Sequence, residues 1–146
     1  MSSQPGEAVV RETIETFYHA FEQRNVELLR KVVTADWQYL PEPPGVSSGP
    51  DQMVPVFHNI ATAMPDMKVH ILDVLIHGDR VGVRAEISGT QTGQFLGIAA
   101  SAKSLRFAIH SFHQMRENLI EKTWHLEDWL SIFRQLGQLP KSLDPH

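Results

Sequence analysis

Side chains that could exchange protons are concentrated in the last third of the chain. His110 and His113 lie in one alternating segment, and Asp128 follows the next one. A strand that carries Trp124, Leu126 and Asp128 on one face would place the carboxyl group at the end of an apolar wall. Because such a wall destabilises the charged form of an acid, we expect Asp128 to exchange a proton near neutral pH.

Each of these residues also has a purely structural interpretation. Asp128 is of a type favoured at the N-cap of a helix, and the two roles could coexist. His113 could equally be a half-buried histidine bonded to a neighbour. A metal site on His110 and His113 is disfavoured, because a spacing of three on a strand sends the side chains to opposite faces and no third ligand is evident in the sequence.

The composition limits the classes of protein to which the chain can belong. Its 146 residues are 42% hydrophobic and 21% charged, as in a soluble globular domain. We expect a single domain over residues 1–146, with an ordered core at about 7–140. The absence of cysteine excludes disulfides and thiolate metal sites. A net charge of −4 with scattered basic residues disfavours nucleic acid as a partner.

The sequence also lacks the usual signals for export or membrane insertion. No apolar run approaches membrane-spanning length, and residues 1–7 have neither a basic region nor an apolar core of a signal peptide. We therefore expect a cytoplasmic protein without a membrane partner.

Three helices are predicted in the first half of the chain. An apolar stripe with spacings of three and four indicates an amphipathic helix over about residues 7–23. Asn25 is the predicted N-cap of a second helix that extends to about Val33. After a short extended segment at 37–40 and a proline-rich loop, a third helix is predicted to end near Met64.

The second half of the chain alternates with the period of a strand. Segments 68–76 and 80–88 predict a hairpin, a third strand covers 105–115, and a fourth leads to a closing helix that begins at Asp128. The glycines of 89–93 predict a bend, since no helix and no GK[ST] motif follow to form a phosphate loop. Helices followed by antiparallel strands predict an α+β fold, in which one bent sheet would enclose a pocket for a small apolar ligand.

Four segments distributed over almost the whole chain resemble one known family. They are Phe17–Phe21, Met64–Met67, the glycine-containing stretches Gly78–Val81 and Gly89–Ile98, and a closing set of Ile120, Glu121, Trp124, Asp128 and Gln135–Gly137. The chain thereby resembles the SnoaL-like polyketide cyclases of the NTF2-like superfamily. This resemblance implies a cone-shaped α+β barrel, in which a strongly curved antiparallel sheet wraps around N-terminal helices with a pocket inside.

The resemblance also implies a function and a set of site residues. The implied reaction is a cofactor-independent intramolecular aldol condensation that closes a ring of a polyketide methyl ester. Asp128 corresponds to the general acid/base of the family, and a histidine of the preceding strand assists it. We favour His113 over His110, because its face carries the longer apolar run. A small apolar carbonyl compound is the expected partner, with these predicted pocket walls: Tyr18, Trp37, Phe57, Phe95 and Trp124.

Two other classes of function fit the same pattern. The pocket could support a different proton-transfer or water-activating reaction, such as double-bond isomerisation or epoxide hydrolysis. The chain could also be a module that binds a small ligand or dimerises without catalysis. A sheet with helices on one side leaves its other face to bury, so we expect a homodimer or homotetramer.

Overall fold

The computed structural model describes residues 5–143, in which helices pack on one face of a curved five-stranded sheet. Residues 1–4 and 144–146, which the sequence analysis included in the domain, lie outside the described residues. The helices are α1 (Pro5–Gln23), α2 (Val26–Arg30), α3 (Met53–Ala63) and α4 (Trp129–Gln135), and the strands are β1 (Val33–Leu40), β2 (Lys68–His77), β3 (Arg80–Thr90), β4 (Ser104–Arg116) and β5 (Leu119–Glu127).

The sheet has the strand order β1-β5-β4-β3-β2 and does not close on itself. Strands β2 to β5 pair antiparallel in sequence order, and β1 pairs parallel with β5. The predicted α+β fold with N-terminal helices against one curved sheet is therefore confirmed. The parallel edge strand β1 is longer than predicted, because the sequence indicated only a short extended segment at residues 37–40.

The first helix supplies much of the core. Ile14, Phe17 and Ala20 recur along one face of α1 and are buried against the inner side of the sheet. This is the arrangement that the apolar stripe predicts for an amphipathic helix. Across the core, the buried side chains Ile120 of β5 and Val81 of β3 belong to the same cluster.

The second helix is shorter than predicted. Asn25 is its N-cap, as predicted, with the side-chain oxygen accepting the Leu28 backbone N–H at 3.0 Å. The helix ends at Arg30, however, and Val33 is the first residue of β1, where it pairs with Ile120. A β-branched valine packs well on a pleated sheet, and this tertiary pairing outweighs the local helical pattern.

The proline of the third helix lies in its first turn, where it hardly destabilises the helix. Pro55 is the third residue of α3, and the backbone N–H groups of the first turn have no partner inside a helix. The helix therefore begins close to this proline, and a turn of 3₁₀ helix at Pro50–Gln52 leads into it.

The predicted bend after β3 is confirmed and is anchored to α3. Thr92 donates its backbone N–H to the Ala63 carbonyl at 3.1 Å. A Cβ atom on Gly93 would lie 2.0 Å from the carbonyl oxygen of Thr62, so only glycine allows this approach. The buried Gln91 side chain donates to the carbonyl of Ile98 at 3.0 Å and holds the following loop in place.

Candidate active site

A cavity of about 530 Å³ lies between α1, α3 and the inner face of the sheet. Its size is that of an ordinary small-ligand pocket. Most of its wall is apolar and includes Phe17 of α1, Ile60 of α3, Val69 of β2 and Phe107 of β4. Polar side chains are a minority of the lining: Tyr18, Tyr39, Gln52, Asn59, Ser111, His125 and Glu127.

An acid and a base meet at the end of β5. His125 and Glu127 are two residues apart on the same strand, so both side chains project from the inner face into the cavity. His125 Nδ1 lies 2.6 Å from Glu127 Oε1, and both side chains are about four-fifths buried. A short contact between an imidazole and a carboxylate is suited to proton transfer.

Two aromatic residues hold this pair in position. The Tyr39 ring is stacked on the His125 imidazole, with centroids 3.8 Å apart and planes inclined by 3°. The Trp129 indole donates its N–H to Glu127 Oε2 at 3.2 Å. Burial, followed by the negative charge of Glu127, raises the pKa of Tyr39 well above its usual value, so Tyr39 stays uncharged. The ring plane of His125 and one carboxylate oxygen of Glu127 are thus fixed.

A chain of buried hydrogen bonds extends from the cavity into the core. Tyr18 is one of the cavity-lining residues, and its hydroxyl is 2.8 Å from Nε2 of His113. His113 Nδ1 is 2.8 Å from the Thr123 hydroxyl, which accepts the indole N–H of Trp37 at 3.1 Å. Burial lowers the pKa of His113 to about 3, so the imidazole is neutral at physiological pH.

Asp128 lies at the rim of this site and outside the cavity lining. Its Oδ1 accepts the backbone N–H of Ser131 at 3.1 Å, which makes it the N-cap of α4 as the structural interpretation predicts. The side chain is exposed. Its neighbour in sequence, Glu127, is the carboxylate that faces the cavity.

The expected apolar wall on β5 is wrong in its orientation. Trp124 is 36% exposed and Leu126 73% exposed, so these residues point away from the helices. The inward face of the strand carries Thr123, His125 and Glu127 instead. Thr123 is fully buried because it bonds to side chains of neighbouring strands. Alternation groups these residues correctly into two faces, but it does not say which face is inside.

The two histidines of β4 lie on opposite faces, as their spacing predicts. His113 is fully buried on the inner face, and His110 is exposed on the outer face. Neither lines the cavity, although His113 is bonded to Tyr18, which does.

The predicted pocket walls are divided between three environments. Tyr18 and Phe95 line the cavity. Trp37 and Phe57 are buried in the core and are absent from the lining, because their rings pack among other aromatic side chains. Trp124 is on the outer face of the sheet, where the Arg80 guanidinium lies 5.7 Å from its ring centroid.

His125 and Glu127 are candidate site residues that the sequence analysis does not single out. The signal was present as a histidine and a glutamate at a spacing of two in an alternating segment. Their common face was identified, but the tryptophan and leucine of the other face gave that face the more apolar pattern. Since apolar residues normally face the core, the inner and outer faces were exchanged.

Two further observations concern the part of the chain that the structure describes. No helix within residues 5–143 has the length and apolar character needed to cross a membrane. Over the same residues, no group of three or more histidine and carboxylate side chains is arranged to hold a metal ion.

Comparisons with known proteins relate the whole arrangement to one family. A family model described as SnoaL-like polyketide cyclase matches residues 11–136. No protein of curated function matches the sequence. Among solved structures, TsrD from Streptomyces laurentii is 25% identical, with a TM-score of 0.83 over 94% of this chain and 100% of that one.

Two further structures have the same fold at lower identity. A proposed polyketide cyclase from Bacillus cereus is 24% identical, with a TM-score of 0.80 over 95% of this chain and 87% of that one. IdmH from Streptomyces antibioticus, also described as a proposed polyketide cyclase, is 24% identical, with a TM-score of 0.76 over 88% of this chain and 98% of that one.

Proposed function

The chain belongs to the SnoaL-like polyketide cyclase family, and from this premise we propose that it catalyses proton transfer on a small apolar carbonyl compound without a cofactor. The proposed reaction is an intramolecular aldol condensation that closes a ring of a polyketide-like substrate. The observation that carries the proposal is the His125–Glu127 pair, which projects into a mainly apolar cavity of about 530 Å³.

The first step of such a reaction needs only a base and correct positioning. Glu127 takes a proton from a carbon flanked by carbonyl groups, and the electron pair of the broken C–H bond becomes an enolate. The enolate carbon forms a bond to a second carbonyl of the same molecule, and the resulting alkoxide takes the proton back. The aldol product is therefore an isomer of the substrate, and a cavity that holds both carbonyls together favours its formation.

His125 supports Glu127 in this scheme. Its imidazole is fixed by the stacked Tyr39 ring, and it faces the carboxylate oxygen at 2.6 Å. The pair can therefore share the proton that is removed from the substrate, and the carboxylate keeps one orientation while it does so.

Asp128 is the second candidate for the acid/base role. The family resemblance assigns the catalytic aspartate to this position, which immediately follows Glu127. Against this, the Asp128 carboxylate is exposed and caps α4 through Ser131. Asp128→Asn retains an oxygen for the cap and removes the acid, so it tests this candidate without disturbing the helix.

The experiment is a proton-exchange assay that does not require the natural substrate. Ethyl benzoylacetate is a small apolar compound with a methylene group between two carbonyls, and its exchange with D₂O is followed by proton NMR. We expect the protein to accelerate exchange over buffer, and Glu127→Gln to abolish the acceleration. Glu86→Gln is the matched control, because Glu86 pairs with Arg106 away from the cavity.

Each outcome separates two interpretations. Acceleration that survives Glu127→Gln and is lost in Asp128→Asn would transfer the acid/base role to Asp128. Binding of the ester by ligand-observed NMR without any acceleration would contradict catalysis and indicate a ligand-binding module.

We also infer that a second copy of the chain covers the outer face of the sheet. Leu75 of β2, Phe112 of β4 and Leu126 of β5 are 74%, 66% and 73% exposed on this face, and Phe112 pairs directly with Trp124. A contiguous apolar patch of this kind is unusual on a surface that remains in water.

The border of this patch suits a self-complementary interface. Arg84 and Asp73 form an ion pair beside it at 2.7 Å, so both signs of charge are available on the same face. In a twofold dimer each patch meets its own copy, and a border of mixed charge allows opposite charges to meet.

A further inference from the structure

Tyr18 lines the same cavity as His125 and Glu127. Tyr18 projects from α1, and Ser111 projects from β4 to the same wall. Ser111 is the register partner of His125 on the neighbouring strand, which places these two side chains next to each other on the inner face. The Ser111 hydroxyl lies close enough to the Tyr18 phenol to lower the pKa of that phenol. One phenol, one alcohol and the acid/base pair therefore form a continuous polar strip.

The buried network fixes which hydrogen bonds the phenol makes. Trp37 can only donate, and its N–H bonds Thr123 Oγ1 at 3.1 Å. Within residues 5–143, the one other partner of that oxygen is His113 Nδ1, at 2.8 Å. The hydroxyl proton of the buried Thr123 therefore has an acceptor only if it points to Nδ1 of His113. Nδ1 then carries no proton, so the neutral His113 ring carries its proton on Nε2. Nε2 then donates to the Tyr18 oxygen at 2.8 Å, and the Tyr18 proton is left for another acceptor.

The phenol keeps this proton over the physiological range. Burial raises the pKa of Tyr18, and the nearby Ser111 hydroxyl opposes only part of that rise. A phenol oxygen that accepts a hydrogen bond from His113 also becomes a stronger donor itself, because hydrogen bonds in a chain polarise one another.

We propose that the Tyr18 hydroxyl donates to the carbonyl oxygen of the substrate and to the enolate oxygen formed from it, and that His113 and Ser111 are positioning residues for that hydroxyl. The inference rests on the proposed proton-transfer function, and it names the group that receives the developing negative charge. When the C–H bond breaks toward Glu127, the electron pair ends on the oxygen held by Tyr18. No proton passes through Tyr18, which acts as a fixed donor.

The geometry selects a class of substrate. A carbonyl oxygen bound by Tyr18 would lie in the cavity that His125 and Glu127 also line, so the carbon beside that carbonyl can face these two side chains. The remaining wall around this strip is apolar, with Phe107 and Ile109 among its residues. The site therefore fits a ketone or ester that carries an acidic C–H next to the carbonyl and an extended apolar body.

A matched pair of ligands tests the hydrogen bond without any turnover. 2-Acetylnaphthalene accepts a hydrogen bond, and 2-ethylnaphthalene has nearly the same shape and cannot. We expect the wild-type protein to bind the ketone about fivefold to tenfold more tightly, and the ketone C=O stretch to shift to lower frequency when bound. Tyr18→Phe should reduce the affinity ratio to about one and remove the infrared shift.

Three results would overturn the assignment. A ketone preference that is unchanged in Tyr18→Phe would show that another group binds the carbonyl. Loss of the preference in Tyr39→Phe, with Tyr18→Phe unaffected, would give the role to the other tyrosine of the cavity. Equal affinity of the wild-type protein for both ligands would exclude a donor altogether. Absence of proton exchange with the ketone preference intact would instead reject the acid/base function and leave the carbonyl site in place.

The proposed role of His113 can be tested in the wild-type protein by determining which ring nitrogen carries the proton. Nitrogen-15 NMR distinguishes the protonated from the unprotonated ring nitrogen, and we expect the proton on Nε2 throughout pH 5–8. A proton on Nδ1 would contradict the proposed arrangement, because the Tyr18 proton would then be used in bonding His113. In Ser111→Ala we expect the infrared shift of the bound ketone to decrease and the His113 tautomer to be unchanged.

Discussion

Nδ1 of His125 lies 2.6 Å from Oε1 of Glu127, and both side chains enter the cavity from the end of β5. Tyr18 and Ser111 line the same cavity, and Ser111 is the register partner of His125 on β4. An acid/base pair and a fixed hydrogen-bond donor are thus neighbours in a cavity that is otherwise mainly apolar.

Glu127→Gln should reduce the protein-catalysed exchange rate of ethyl benzoylacetate by at least about 100-fold. The substituted side chain keeps its size and can still bond Trp129, but it no longer takes up a proton. Exchange rates are compared with those of Asp128→Asn and Glu86→Gln at the same protein concentration. A decrease of less than threefold in Glu127→Gln would contradict the assigned base.

Asp128→Ala should lower the free energy of unfolding by about 1 kcal/mol, because the Ser131 backbone N–H loses its acceptor. Asp128→Asn should lie within a few tenths of a kcal/mol of wild type, since asparagine is an equally good N-cap. Urea unfolding followed by circular dichroism measures both values. Equal destabilisation by the two substitutions would mean that the charge, and not the cap, is what matters at this position.

Acid should weaken the fold through His113. Burial lowers the pKa of this histidine from 6.5 to about 3, so between these pH values the unfolded chain binds a proton that the folded chain does not. The contribution of His113 to the free energy of unfolding is therefore fully present above pH 6.5. It decreases by about 1.4 kcal/mol for each pH unit as the pH falls toward 3. The side chains that contact His113, namely Phe17, Tyr18 and Thr123, carry no charge there.

The matching measurement is urea unfolding of the wild-type protein and of His113→Gln from pH 4 to 8. Glutamine can bond Tyr18 or Thr123 but does not titrate. The difference in unfolding free energy between the two proteins should therefore shrink as the pH falls. A difference that stays constant with pH would rule out this source of acid sensitivity.

Phe112→Glu should convert the assembled protein to a monomer. Phe112 is 66% exposed at the middle of the outer apolar patch, where a charge would be desolvated in a dimer. Sedimentation velocity before and after the substitution gives the oligomeric state. Leu143→Glu is the matched control, since Leu143 is also exposed but lies near the C-terminus, away from the sheet. A wild-type protein that sediments as a monomer would refute the proposed interface.

Gly93→Ala should destabilise the protein by about 1–3 kcal/mol, because the added methyl group would overlap the Thr62 carbonyl. The loop that carries Phe95 to the cavity would shift with it, so ligand affinity should fall as well. Gly6→Ala is the control, because its added Cβ meets no atom within 4 Å and alanine favours the helix. Thermal unfolding and binding of 2-ethylnaphthalene measure the two effects.

The main elements of the fold were predictable from local patterns. The apolar stripe of α1, the alternation of β2 to β5, and the caps Asn25 and Asp128 each depend on neighbouring residues only, and each is confirmed. Predictions failed where a distant partner decides the structure. Val33 was predicted to lie in the second helix but belongs to β1, because it pairs with Ile120 of β5. This contact cannot be recognised from the local sequence.

What the sequence by itself determined is the order of the elements, their periodicity and the chemical types available at each position. It grouped Thr123, His125 and Glu127 on one face of β5 and Trp124 and Leu126 on the other. Only the tertiary structure decided which group faces the helices, because alternation has the same period on both sides of a strand. Hydrogen bonds from Trp37 and to His113 hold the Thr123 side chain on the inner face of the sheet. Because side chains alternate along β5, His125 and Glu127 lie on the same face and line the cavity.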